Sequence, residues 1–259
     1  MTKVLVLGDI HGGVDSVRKV VTEVKRTDLA AVLCTGDFAS ISIADAVQDL
    51  ELVAKVFEYL ASLGVDVVYT WGNRDLLLFE RVIKLGSVEQ RKRARELIEY
   101  MLSFSNVYEA PNRDRLCLKS LGLCITSNPQ LIDSKTILLT HYVSEAYEDA
   151  FLHIEGHVHY GQIHGRYINA GFVYRDDMHG AKPMEGMYMV IDIEGTELRG
   201  LEVKLLSDDL KFYSCPHHPD EGLFIIPKWW RKCPVCYDIS RAKFTKQVLS
   251  VDNLFQGAL

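Results

Sequence analysis

The chain has 259 residues, 48% hydrophobic and 25% charged, with a formal net charge of −6. That supplies ample material for a buried core and excludes both a disordered segment and a short stapled peptide. Apolar runs such as Val4–Leu7 and Thr136–Leu139 fall far short of the ~20 residues of a membrane helix, and Asp9 interrupts the N-terminal run before a signal-peptide core develops. A cytoplasmic protein with no membrane partner is therefore expected.

In chain order, Val4–Leu7 reads as a strand ending in Gly-Asp. Apolar residues at 14, 17, 20, 21 and 24 share one helical face, so Val14–Val24 is a predicted helix. Ala31–Thr35 is the second strand, again running into Gly-Asp, and Ala44–Leu63 the second helix, stopped by Gly64. Val65–Tyr69 is the third strand and leads to Trp71-Gly72-Asn73. Strand, helix and strand at this spacing predict a parallel sheet in an α/β fold, whose sites lie at the carboxyl ends of strands.

After a charged helical segment, Val88–Phe104, the character turns more antiparallel. Strands are expected at 107–109, 115–120, 123–126 and 136–140, with Leu121-Gly122 as a hairpin turn. Further strands fall at 151–155 and 163–168, and a hairpin from Gly186 to Leu205 turns at Glu194-Gly195. The expectation is two packed mixed sheets flanked by helices over residues 1–207. A boundary near Ser207–Lys211 then begins a separate small module over 208–259.

Polar residues collect where apolar strands end, in five blocks: Gly8-Asp9-Ile10-His11-Gly12, Gly36-Asp37, Gly72-Asn73-Arg74-Asp75, Thr140-His141 and Gly156-His157-Val158-His159. Any one of them is ordinary turn chemistry. Together they repeat hard oxygen or imidazole donors directly after β-runs, a set that suits Mn, Fe, Co, Ni or Zn better than a soft-metal site. Phosphate esters need such a set, because paired cations neutralise the anionic oxygens and acidify a bound water.

These blocks, in this order over roughly residues 3–175, resemble the calcineurin-like metallophosphoesterases. That family's pattern is Asp-x-His, Gly-Asp, Gly-Asn-His-Asp/Glu, His and Gly-His-x-His, and Asn169-Ala170-Gly171 is similar to the Asn-Pro-Gly turn that follows it. The resemblance implies a four-layer αββα sandwich and a phosphoesterase with two divalent metals. It places Asp9, His11 and His159 on one metal and Asn73, His141 and His157 on the other, with Asp37 bridging, Arg74 and Asp75 beside them as catalytic residues, and a metal-bridging hydroxide as nucleophile. Phe38-Ala39-Ser40 departs from the Asp-Arg-Gly of the protein phosphatase branch.

Arg74 stands where the family usually has a His. Its fork can clamp a phosphate oxygen, but it cannot act as a general acid near neutral pH. That favours a phosphodiester of nucleotide or nucleic-acid type over simple alkyl monoesters. The alternatives are a phosphomonoesterase acting on nucleotides or proteins, and a non-catalytic scaffold of this fold. His153, His164 and His179 match no family position, although His164 is close enough in sequence to line the pocket. Arg91, Lys92, Arg93 and Arg95 read as the solvated face of an amphipathic helix.

Six cysteines with three between Cys215 and Cys236 read as metal ligands in a reducing compartment, and Cys34, Cys117 and Cys124 as buried small hydrophobes. Cys215-Pro-His-His218 and Cys233-Pro-Val-Cys236 have the spacing of a zinc ribbon. Cys215, His218, Cys233 and Cys236 are the expected ligands of one structural zinc, with His218 preferred to His217. Residues 211–247 hold seven Lys/Arg against three Asp/Glu, so the tail is basic on an acidic body. Between the knuckles, Trp229 and Trp230 beside Lys228, Arg231 and Lys232 either pack the module onto the body or meet single-stranded nucleic acid or a protein partner.

Overall fold

Alternation along the first strand sets the architecture: Leu5 and Leu7 face one apolar core, Val4 and Val6 another. In this computed structural model the described residues are 1–239 apart from 41, 43, 44, 144 and 176–181. The chain begins β1 (Thr2–Leu7), α1 (Val14–Val24), β2 (Leu29–Cys34), α2 (Ala46–Ala61), β3 (Asp66–Tyr69), α3 (Asn73–Leu85), α4 (Val88–Leu102) and β4 (Val107–Glu109). It continues through β5 (Leu116–Leu118), β6 (Leu123–Thr126), β7 (Thr136–Leu139), β8 (Leu152–Glu155), β9 (Gly161–His164) and β10 (Tyr167–Ala170). The remaining strands are β11 (Tyr174–Arg175), β12 (Met184–Glu185), β13 (Met187–Glu194), β14 (Glu197–Leu205), β15 (Leu210–Ser214) and β16 (Leu223–Pro227).

One sheet has the order β14-β13-β1-β2-β3-β4 and the other β15-β16-β9-β10-β8-β7-β6-β5. The two mixed sheets pack face to face through Val4, Val6, Leu33, Val68, Met189 and Ile191 on one side and Ile125, Ile137, Leu139, Ile154 and Ile168 on the other. Helices flank this sandwich. All four α-helices of the described residues bury their apolar faces against the β1-containing sheet, with Val17, Val53, Phe57, Leu78, Val82, Leu97 and Met101 in that core. The far face of the other sheet buries polar side chains, including His153, Glu155 and Asn169. Part of it lies under the connection from β7 to β8, where Ala146 packs on Tyr167. No described helix is long and apolar enough to cross a membrane.

Several sequence expectations change. β1, β2 and β3 are parallel as predicted, but the middle strands are not chiefly antiparallel: β4 joins β3 in parallel, and β6, β7, β8 and β10 form a parallel row. β5 and β6 make an expected hairpin, turning at Gly122, and β13 and β14 make the other, turning at Gly195. The single strand expected at 163–168 is two antiparallel strands, β9 and β10, folded about Gly165. Helix α3 was not anticipated.

Cys117 and Cys124 are not buried hydrophobes. They face outward, opposite one another on β5 and β6, and form a disulfide. Cys34 is a buried thiol as expected. Past the boundary expected at 207, β15 pairs with β16 and β16 with β9, so backbone pairing carries the second sheet into the C-terminal segment. His179 and residues 240–259 lie outside the described residues.

Candidate metal centre

Each polar block sits at a strand end, and three of the five hold ligand candidates on backbone that most side chains avoid. Among the described residues, non-glycine positive φ occurs at His11 (44°), Asp37 (49°), His157 (73°), His159 (53°) and Asp238 (53°). Left-handed backbone costs roughly 1–2 kcal/mol for such residues and persists where surrounding structure enforces it. Four of these five are predicted ligands, so the strain is concentrated on the groups that must point inward together.

The side chains do converge. Donor atoms of Asp9, His11, Asp37 and His159 lie within 4.8 Å of one another, and so do those of Asp37, His141 and His157. His11 Nε2 is 2.9 Å from His159 Nε2, which is 3.1 Å from Asp9 Oδ2. On the other side, Asn73 Oδ1 lies 2.9 Å from His141 Nε2 and 3.0 Å from His157 Nδ1, and Asp37 Oδ2 is 3.5 Å from His141 Nε2. Asp37 belongs to both groups.

Backbone carbonyls orient two of the imidazoles. His11 Nδ1–H donates to Ala39 O at 3.2 Å and His141 Nδ1–H to Thr35 O at 2.9 Å. A carbonyl only accepts, so each contact leaves the Nε2 lone pair facing the cluster. Ring lone pairs and carboxylate oxygens then face one another at close range without protons between them all. That arrangement, made of oxygen and imidazole donors, fits divalent cations.

Burial first, and the neighbouring Asp9 charge second, push the Asp37 carboxyl up to about 7; burial pushes Asp9 up to about 6. Burial brings His157 and His159 down to about 4, helped by nearby positive charge that includes Arg74. No Lys or Arg side chain makes an ion pair with Asp9 or Asp37 among the described residues.

Asp75, expected as a catalytic residue beside Arg74, is placed with its carboxylate on backbone N–H groups. It is buried, and its two oxygens accept N–H groups of Ala39 and Gly72 at 2.8 Å, tying the Asp37 turn to the first turn of α3. Arg74 does not pair with it: its backbone N–H donates to Asp37 Oδ1 at 2.8 Å, while its half-buried side chain makes no hydrogen bond or ion pair among the described residues.

Gly72 is equally constrained, since a Cβ there would be built into the Asp37 carboxylate and N–H. Glu155, which the sequence reading missed, accepts Val143 N–H at 3.0 Å and steadies the turn after His141. His153 accepts Tyr147 N–H at Nδ1 and faces Thr140 Oγ1 at 3.0 Å; burial holds it down at about 3, so it is neutral packing as anticipated. His164 lies by Glu221 and Glu148, outside the cluster.

At the ends of β15 and β16, Cys215, His218, Cys233 and Cys236 also converge. Cys236 Sγ lies 3.7 Å from both Cys215 Sγ and Cys233 Sγ, and the three sulfurs lie 3.3, 3.5 and 3.7 Å from His218 Nδ1. A tetrahedron with Zn–S ~2.3 Å and Zn–N ~2.0–2.1 Å has edges of about 3.8 and 3.5 Å, so the donor set fits zinc. The tryptophans divide: Trp230 packs in a small core with Tyr160, Phe224 and Ile226, whereas Trp229 is 51% exposed.

Two expectations follow for metal content. Gly72→Ala should displace Asp37 and weaken catalytic-metal binding by about tenfold or more while zinc bound at the cysteine cluster is retained, as read by metal analysis after dialysis. The raised carboxyl pKa values favour the metal-free fold at low pH, and that contribution is lost as pH climbs through about 6 to 7. A cation removes the loss, so the rise in Tm on adding Mn should grow between about pH 5 and about pH 8. A Tm gain independent of pH would contradict these carboxylates as ligands.

The family model for calcineurin-like phosphoesterases matches residues 2–169. No curated protein sequence matches the chain significantly. Among solved structures, an archaeal phosphodiesterase is similar at 17% identity and TM-score 0.39, covering 78% of this chain and 99% of its own. Yfce, a phosphoesterase from E. coli, is similar at 15% identity and TM-score 0.40, covering 78% of this chain and 98% of its own. With most of the chain and all five strand-end blocks inside the family match, the chain belongs to the calcineurin-like phosphoesterases and is a metal-dependent phosphoester hydrolase.

Proposed function

We propose that the chain hydrolyses a phosphodiester of nucleotide or nucleic-acid type. The observation that carries this reading is Arg74, a guanidinium at the rim of the metal centre with no side-chain partner among the described residues, in the place of a proton donor. Asp9, His11, Asp37 and His159 would hold one cation, and Asp37, Asn73, His141 and His157 the second. When bound, two divalent cations supply charge neutralisation at the phosphate and an acidified water.

Arg74 forks onto a phosphate oxygen and orients the ester, and it keeps its own proton. Each imidazole nitrogen that faces the cluster is committed to it, and Asp75 is committed to backbone N–H groups. A leaving group therefore departs without a side chain to protonate it. Diesters with stable leaving groups, 2′,3′-cyclic ones included, suffer least from that lack. Residues 208–259 are read as a zinc-binding extension of the same body.

A panel of aryl monoester, aryl diester and cyclic nucleotide, run with Mn, Co, Ni, Mg and Zn, tests the reading, with diesters expected to turn over fastest. Asp37→Asn should abolish turnover and lower the content of both catalytic metals. Arg74→Ala should cut kcat/KM for all esters alike, by about tenfold to a hundredfold, and Arg74→His should selectively help poor leaving groups. Unchanged kinetics in Arg74→Ala, or a preference for alkyl monoesters, would overturn it.

A further inference from the structure

Arg175 is the one feature near the metal centre that neither the strand-end blocks nor the fold accounts for. It lies on β11, three residues past Phe172, and is only 7% exposed. Its Nε is buried and makes no hydrogen bond, and Nη2 reaches only Met184 Sδ, at 3.8 Å. No carboxylate pairs with it among the described residues. Removing a guanidinium from water without an anion is costly, so a fold that keeps one there holds it for a charge that arrives later.

Its surroundings say where that charge sits. The guanidinium carbon lies 5.3 Å from the ring centre of Phe172 and 5.8 Å from that of Trp229, between an aromatic of the catalytic body and one of the C-terminal segment. Phe172 bridges to Asp9 and its ring is 6.3 Å from that of His159; the next residue, Val173, donates its N–H to Asp9 O at 2.7 Å. Arg175 is thus one aromatic ring removed from His159, a predicted ligand, and the residue that carries that ring is bridged through its backbone to Asp9.

Its positive charge acts on His159, whereas that of Arg74 also acts on Asp37 and His157. Aromatic faces hold a guanidinium by cation–π attraction without using its N–H groups, which stay available to an oxyanion.

We propose that Arg175 is a substrate-binding residue that takes a phosphate oxygen on the His159 side of the metal centre, and that Trp229 of the C-terminal segment positions it. The proposal rests on the phosphodiesterase reading for the identity of the ester but on geometry alone for the binding of phosphate. Trp229 acts through Arg175 and is a positioning residue. The zinc-binding segment then completes the active site and is more than a separate appendage.

The test uses the full-length, metal-loaded protein and inorganic phosphate as the probe, with Kd measured by calorimetry and KM and kcat measured on an aryl diester. Arg175→Met keeps the stem that packs on both rings. It should raise the phosphate Kd by about tenfold or more, and KM with it, with metal content unchanged. Trp229→Ala should shift both in the same direction by about threefold to tenfold, and Trp229→Phe should restore them.

A phosphate Kd within about twofold of wild type in a folded, metal-loaded Arg175→Met protein overturns the proposal. Should that variant fail to fold, Arg175→Lys decides: about fivefold weaker phosphate binding is expected, because one ammonium cannot present a fork, and an unchanged Kd overturns it. A wild type that binds phosphate but turns over no diester would sink the phosphodiesterase reading and leave Arg175 standing.

Discussion

Asp9 and Asp37 are buried carboxylates with imidazoles beside them but no Lys or Arg side chain within ion-pair distance among the described residues. Negative charge of this kind is tolerated in a protein interior only if it is protonated or if a cation is brought to it. The rest of the site follows from that constraint. Imidazoles are turned toward the carboxylates by backbone carbonyls, left-handed turns bring the donors into one space, and Gly72 gives up its side chain so that Asp37 can occupy the position where both donor groups meet. The metal-free fold is under electrostatic tension that metal binding relieves, which joins stability and activity in one interaction.

The sheets deliver these groups by simple periodicity. Apolar residues of β1 and β2 alternate between the helix-side core and the inter-sheet core, so the strand ends are fixed from both faces before the polar residues begin. A similar alternation runs through the loop after β8. His157 and His159 turn to the metal centre, while Val158 and Tyr160 pack into the small core that contains Cys215 and Cys233. The loop carrying two predicted ligands therefore rests on the cysteine-containing segment.

Much of this was legible in the sequence because the apolar runs stop abruptly at Gly-Asp, Gly-Asn and Gly-His, and the seven donors that close on the centre sit at those stops. The cysteine spacing likewise anticipated the four side chains that meet at the C-terminal cluster. Helix α3 escaped notice because its first turn is the Asn73-Arg74-Asp75 block itself, which drew the reading away from the apolar positions 78 and 82 that it buries. The Cys117–Cys124 pair had a readable signal: both alternate with inward-facing leucine or isoleucine on either side of Gly122, which puts them on one outward face. Arg175 had none, since its meaning depends on Trp229, 54 positions later in the sequence and adjacent only once β16 has paired with β9.

The pairing of β16 with β9 also orders the life of the chain. On the ribosome, every residue of the predicted catalytic set emerges before Leu223–Pro227, the strand that covers the β9 side of the sheet. Until that strand arrives, β9 is an open edge with unpaired N–H and C=O groups beside the apolar Tyr160 and Ile163, the kind of surface on which nascent chains associate wrongly. The cysteine cluster forms just beyond this last strand, and a cation captured there would clamp it in place as synthesis ends. Zinc supply during translation would then govern how much of the protein reaches the folded state, separately from any effect of metals on the mature enzyme.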